Sequence, residues 1–339
     1  MKNRKNLKPI NMPVFLSTTF VQDSPSQWGY SRVDDPTRLA LENELAGLEN
    51  ANHGLAFPSG SSAVTCLVMM LKKGDSVLCH HEVYEGTQRI LERVMNKFGV
   101  GFDVVDFNNA VKLNKAIKPS TRMVLFENVT NPELEIIDVA KISKLTKSKD
   151  ILIVVDNTIC TPIFQKPLTV GADVVVHSLT KFISGNHDVL GGALMTNDKV
   201  LFDKLKFIQQ TLGLVMSPFD CHFVSRGIKT LELRVKRQTK SARKIFNFLK
   251  THNKVVRVSF PGVSGIVSFV IDKNLNARRF LKRLKLIKIA QSFGGTESTI
   301  LHPRSMMTLA KPLDHNFFRL SVGVGDPGEL IKDLKEALK

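Results

Sequence analysis

The chain of 339 residues contains one tryptophan, two tyrosines and four cysteines, and each scarcity excludes something. Cys66, Cys79, Cys160 and Cys221 lie far apart with no CxxC spacing. Neither a zinc ribbon nor a disulfide framework is therefore expected, and the thiols read as buried. His80 and His81 are adjacent; neighbours on a strand point to opposite faces, so the pair is not expected to share an ion and no metal is expected. With so few flat aromatics there is no stacking platform for single-stranded nucleic acid. No apolar run approaches the ~18–20 residues of a membrane-spanning helix. Met1 to Pro9 is basic but lacks the apolar segment of a secretory signal, and the expectation is a cytoplasmic protein.

Acidic residues are also in deficit, 31 against 48 lysines and arginines, for a net charge of +17. A basic protein attracts polyanions without specificity. Here the cations fall in helical stretches such as Arg234-Val-Lys-Arg237 and Arg278-Arg279-Phe-Leu-Lys-Arg283, which read as a solvated face that draws anionic ligands. Neither a nucleic acid nor a membrane is expected as a partner. A basic binding protein that keeps a fold without catalysis is the alternative from another class.

What is present is ordinary for a globular chain, 43% hydrophobic and 23% charged. Residues 1–45 read as an extended arm followed by a helix, with Leu39, Leu41, Leu45 and Leu48 at helical spacing. Across 46–230 short apolar strands alternate with helices: Gly54–Phe57, Ser76–Cys79, Phe102–Val105, Met123–Phe126 and Ile151–Val155. That alternation predicts an α/β layer with a largely parallel sheet, whose ligands sit beyond the carboxyl ends of the strands, where Asn128, Asn131 and Asp156 fall. A long helix from Gly227 to Leu249 opens the remainder, 231–339, which mixes strands and helices as a smaller α+β domain.

Two strand ends carry the chemistry. Ile151-Leu-Ile-Val-Val-Asp156 ends on a carboxylate, and Asp173-Val-Val-Val-His-Ser-Leu-Thr-Lys181 ends on an amine. An amine can condense with an aldehyde as a Schiff base, and a carboxylate facing a pyridine nitrogen keeps that nitrogen protonated. The pair therefore suits pyridoxal 5'-phosphate. Ser178 and Thr180 offer hydroxyls to its phosphate, and the strand, turn and helix around Pro58-Ser-Gly-Ser-Ser62 offer backbone amides.

Taken in order, Tyr30-Ser-Arg-Val-Asp-Asp-Pro-Thr-Arg38, Phe57-Pro-Ser-Gly60, Val83-Tyr-Glu-Gly-Thr87, Glu127-Asn-Val-Thr-Asn-Pro132, Ser217-Pro-Phe-Asp-Cys221, Arg226-Gly-Ile-Lys-Thr-Leu231, Ser292-Phe-Gly-Gly-Thr-Glu-Ser298 and Arg319-Leu-Ser-Val-Gly323 resemble the Cys/Met-metabolism family of fold type I pyridoxal phosphate enzymes. The family includes cystathionine γ-synthase, γ-lyase and β-lyase. The resemblance implies a large α/β domain with a mostly parallel sheet and a smaller C-terminal α+β domain. It also implies that Lys181 carries the cofactor and moves protons, Asp156 pairs with the ring nitrogen, and Tyr84 stacks on the ring and assists as acid or base. Gly60, Ser61, Ser178 and Thr180 would hold the phosphate, joined by Tyr30 and Arg32 from a partner subunit of a homo-oligomer built as a dimer of dimers. Arg319 would clamp the substrate carboxylate, with Asn131 and Ser292 adding hydrogen bonds.

Departures from the family pattern are informative. Leu179 stands where a small residue is usual and is expected to crowd the phosphate cup. Gly185-Asn186-His187 replaces a Gly-His pair, Asn128-Val129 replaces Ser-Pro, and the segments at the N-terminal arm, after Phe260-Pro-Gly262 and after Met307 are short. Gln291 stands before Ser292, where γ-synthases and γ-lyases often carry glutamate; it offers hydrogen bonds but no charge to a substrate's distal ammonium. The resemblance implies carbon-sulfur bond chemistry on cystathionine or related amino acids. γ-Synthase or γ-lyase is favoured over β-lyase or O-acylhomoserine sulfhydrylase, and an inactive family descendant is the remaining alternative.

Overall fold

Asp35 starts the first helix: its carboxylate accepts the Arg38 N–H at 2.9 Å, and Pro36 occupies the first turn. The helix runs Pro36–Glu49 and stops where Asn50 turns left-handed at φ 55°. The computed structural model describes residues 9–22, 28–146, 149–306 and 313–339; the stretch just after Met306 and the first eight residues of the arm lie outside them.

Seven strands form the larger sheet: β1 (His53–Phe57), β2 (Ser76–His80), β3 (Gly101–Val105), β4 (Thr121–Glu127), β5 (Leu152–Asp156), β6 (Val174–Ser178) and β7 (Gly192–Thr196), in the order β1-β7-β6-β5-β4-β2-β3. The run from β2 to β6 is parallel, and β7 is antiparallel to both β6 and β1. Val154 packs with Ala63 and Leu67 of the helix Gly60–Val68, while Ile153 and Val155 pack with Ile142 of the helix Val139–Thr146. Burial on both faces is why the central strands are continuous apolar runs without alternation.

A second sheet holds β8 (Val255–Ser259), β9 (Ile266–Ile271), β10 (Lys288–Ile289), β11 (Thr299–Leu301) and β12 (Phe317–Ser321), ordered β10-β11-β12-β9-β8 and antiparallel except for the β10/β11 pair. Its core centres on Phe269, Phe280 and Phe318, whose rings lie 4.9–6.2 Å apart.

The helix expected over Gly227–Leu249 is two helices, Pro218–Ile228 and Leu231–Thr251. Thr230 leaves helical geometry at ψ 3°. Gly227 lies against the chain near Ser184 so closely that a Cβ there would sit 2.4 Å from the Ser184 carbonyl oxygen. Arg234, expected on a solvated face, is instead buried. It donates to the carbonyls of Phe182 (2.7 Å), Ile183 (3.1 Å) and Gly227 (2.8 Å), so it fixes the chain just after Lys181.

Candidate active site

The carboxyl ends of β4, β5 and β6 converge on a cavity of about 630 Å³, a size usual for small-molecule sites. Asp156 closes β5 and Glu127 closes β4; the two are register partners, so both carboxylates face the cavity. Ser178 ends β6, and Thr180 and Lys181 follow in the turn. Gly60 and Ser61 open the helix Gly60–Val68, where the first backbone N–H groups have no acceptor within the helix. Ser59 caps that helix, accepting the Ser62 N–H at 3.1 Å. A Cβ on Gly192 of β7 would sit 2.1 Å from the Ser59 carbonyl oxygen, so glycine lets the Ser59-Gly60 turn press onto the sheet.

From the smaller sheet, Arg319 of β12 enters the cavity with Ser292, Phe293 and Gln291. Lys181 Nζ donates to Ser292 Oγ at 2.9 Å. The Phe293 ring lies 4.9 Å from the lysine nitrogen and 4.7 Å from the Arg319 guanidinium carbon, a cation–π partner to both. Arg319 Nη1 donates to Asn131 Oδ1 at 2.6 Å, and Nη2 donates to the carbonyls of Gln291 (2.6 Å) and Ser292 (3.2 Å). Asn131 thus orients the guanidinium, while buried Nε has no hydrogen-bond partner among the described residues. Tyr84 borders the cavity half-exposed, and its backbone N–H donates to Glu127 Oε1 at 2.7 Å.

Burial and the nearby Arg319 charge lower the Lys181 pKa to about 8. Burial likewise lowers Arg319 to about 10. Burial raises Asp156 and, more strongly, Glu127, where the Asp156 charge adds to the effect. Asp156 is partly relieved by the Thr158 N–H, which donates to it at 2.9 Å, and by His177. A cation placed against Asp156, such as a protonated ring nitrogen, would offset the cost of burying its carboxylate.

All the predicted residues of the cavity are brought together, namely Lys181, Tyr84, Asp156, Gly60, Ser61, Ser178, Thr180, Arg319, Ser292, Asn131 and Gln291. Thr180 Oγ1 is engaged by Gly191, accepting its N–H at 3.0 Å. Tyr30 and Arg32 do not reach this chain's own cavity; Arg32 lies over the Tyr30 ring at 5.4 Å and donates to the Gln210 carbonyl.

Three expectations are corrected. Leu179 does not crowd the phosphate cup: it is fully buried in the core beside Gly191 and Met216, because the residue between Ser178 and Thr180 points away from the cavity. Asn128 also faces away, since alternation along β4 and past its end turns it to the face opposite Glu127. His80 and His81 do not diverge: His80 ends β2, His81 follows it, and their rings approach to 4.2 Å. His80 Nδ1 accepts the Glu82 N–H at 3.2 Å, so Nε2 of the neutral ring carries the hydrogen facing Asp106 and Glu135, each 3.8 Å away.

Glu127, Phe293 and His187 also line the cavity, and no role for them follows from the sequence. His187 sits at φ 57° with its ring against Gly295 and makes no hydrogen bond to the described residues. Burial and the Lys181 charge lower its pKa. Its signal was the displaced histidine in Gly185-Asn186-His187.

An amine, a buried carboxylate and a helix N-terminus around one cavity at the strand ends of a mixed sheet are the donor set that fits pyridoxal phosphate in a fold type I enzyme. The sequence profile of the Cys/Met metabolism PLP-dependent enzymes matches residues 1–339. Cystathionine γ-lyase of Dictyostelium discoideum is 39% identical, with 98% of this chain and 94% of that protein covered. Cystathionine β-lyase of Coxiella burnetii is 37% identical, covering 96% and 92%. Among solved structures, metB from Corynebacterium glutamicum superposes with a TM-score of 0.95 at 36% identity over 97% and 93% of the two chains. Cystathionine γ-lyase from Lactobacillus plantarum, complexed with L-serine, does so at 0.93 and 34% over 96% and 92%. The chain belongs to the Cys/Met metabolism PLP-dependent enzyme family.

Proposed function

We propose that this enzyme acts on cystathionine, breaking or making its bond between sulfur and the γ-carbon. The observation that carries the reading is the clustering of Lys181, Ser292 and Arg319: an amine beside a carboxylate clamp holds an amino-acid substrate with its α-carbon next to a base. Bound pyridoxal phosphate supplies an electron sink that acidifies the α-carbon. Arg319, with Asn131 and Ser292, binds the α-carboxylate. Lys181, as the neutral amine, would take the α-proton, hand it on to the bound cofactor and so regain its lone pair before taking a β-proton, which it would return to the substrate carbons as the product forms. Tyr84 covers the cavity and gives its hydroxyl proton to the departing sulfur. Asp156 keeps the ring nitrogen protonated, while Gly60, Ser61 and Ser178 hold the phosphate.

The preference for the γ-carbon rests on the γ-lyase names among relatives; the β-lyase names keep attack at the β-carbon as the second reading. Products separate the two. With cystathionine and water, γ-cleavage yields cysteine, 2-oxobutanoate and ammonia, whereas β-cleavage yields homocysteine, pyruvate and ammonia. 2-Oxobutanoate is the expected oxo acid, and pyruvate alone would overturn the γ reading. An activated homoserine mixed with cysteine tests the synthetic direction in the same assay. The enzyme works as a homo-oligomer in the cytoplasm, each site completed by Tyr30 and Arg32 of a second copy. Among the described residues no helix is long and apolar enough to cross a membrane.

A further inference from the structure

Directly behind the cavity floor lies a second polar layer that the reaction does not use. Residues at the ends of β4, β5 and β6 alternate: Glu127, Asp156 and Ser178 face the cavity, while Asn128, Asn157 and His177 face the other side, each 0–1% exposed. Glu49, the last residue of the first helix and fully buried, reaches this layer from 128 positions away in sequence. Its Oε1 accepts from His177 Nε2 at 2.6 Å and from Asn157 Nδ2 at 2.7 Å. Asn128 Nδ2 continues the chain to Asn157 Oδ1 at 2.7 Å and to Gln165 Oε1 at 2.9 Å. The Asn128 departure from the family pattern is thus a working part of the layer.

Packing alone does not explain this arrangement. A carboxylate with no exposure is costly, and Glu49 Oε2 has no hydrogen-bond partner among the described residues. An apolar residue of similar volume in place of such a pair is often neutral or stabilising. The layer joins the strand ends that carry Asp156 and Ser178: His177 follows Val176, the register partner of Asp156 on β6, and the Asn157 N–H donates to the Val176 carbonyl at 3.0 Å. His177 also works against the effect of burial on Asp156.

We propose that Glu49 and His177 are positioning residues for the cofactor: docking of the first helix orients His177 behind Asp156 and so sets how tightly the pyridine ring is held. This inference rests on the pyridoxal phosphate site and not on the choice between γ- and β-cleavage. Holoenzyme carrying Glu49→Gln, and separately His177→Asn, is diluted and its loss of cofactor is followed by the visible absorbance, with thermal melts of loaded and cofactor-free protein alongside. Each variant is expected to weaken cofactor retention at least tenfold and to change the visible band. The double variant should lose little beyond the larger single effect, as for groups acting through one contact. Unchanged retention and an unchanged band would overturn the proposal. So would equal falls in both melting temperatures with retention intact, which would make the pair structural only. Should Glu49→Gln fail to fold, His177→Asn, which leaves Glu49 bonded to Asn157, decides the question by the same readings.

Discussion

At the residue scale, Lys181 combines burial, a neighbouring cation and a hydroxyl acceptor. To attack an aldehyde the amine must be neutral, and with its pKa lowered to about 8 the neutral form dominates above pH 8 instead of above the usual 10.5. The rate at which cofactor-free protein captures pyridoxal phosphate should therefore rise roughly tenfold per pH unit below 8 and level off above it. Arg319→Gln removes the cation that assists the lowering and should move the inflection upward, as stopped-flow absorbance at several pH values would reveal. Lys181→Ala should abolish the covalent visible band, and an unchanged band would refute the assignment. The amine and its opposing carboxylate were legible in sequence because each ends a continuous apolar run. Phe293 and Glu127 were not assigned roles, because a role that depends on two sheets meeting leaves no local pattern. Leu179 was misjudged for a related reason: its family position suggested the cup, but its direction was set by the turn between Ser178 and Thr180.

At the scale of elements, the Ser59-Gly60 turn, proposed to hold the cofactor phosphate, depends on β7, the strand that runs against its neighbours. Gly192→Ala places a Cβ 2.1 Å from the Ser59 carbonyl oxygen and within 2.7 Å of the Gly60 nitrogen. The turn must shift, so cofactor phosphate affinity should fall while the cofactor-free fold survives, measurable by equilibrium titration beside circular dichroism. In the smaller sheet, Phe318→Ala removes a fully buried ring that touches Phe269 and Phe280. A loss of about 3–5 kcal/mol in urea unfolding is expected from the cavity it leaves. The strands β2 to β6 and both long helical stretches could be read from apolar runs and helical spacing. β7 could not, since Gly192-Ala-Leu-Met-Thr196, with Gly191 before it, holds only two large apolar residues, Leu194 and Met195, and no β-branched or aromatic run. The break at Lys229-Thr230 was hidden as well, because apolar spacing continues across it while a tertiary contact at Gly227 interrupts the helix.

At the scale of the whole molecule, the charge is unevenly divided. Residues 231–339 hold 22 basic and 8 acidic side chains, 14 of the net 17 positive charges, and leave 1–230 almost balanced. Two copies meeting through the smaller-sheet region would bring like charge together, whereas the balanced part carries the exposed apolar side chains of the arm, Ile10, Leu16 and Val21. Tyr30 and Arg32 do not reach their own cavity, and association through the arm is the arrangement in which, as proposed above, they would complete a second copy's cavity. Complementation tests this directly. Lys181→Ala chains retain Tyr30 and Arg32, and Arg32→Ala chains retain Lys181, so a mixed dimer contains one site with both groups and one with neither. Random pairing makes half the dimers mixed, so co-expressed chains should recover up to about a quarter of wild-type activity, above the mean of the two variants assayed apart. If Arg32 serves only its own chain, mixing restores nothing, and the shared site is wrong even where the protein sediments as a dimer.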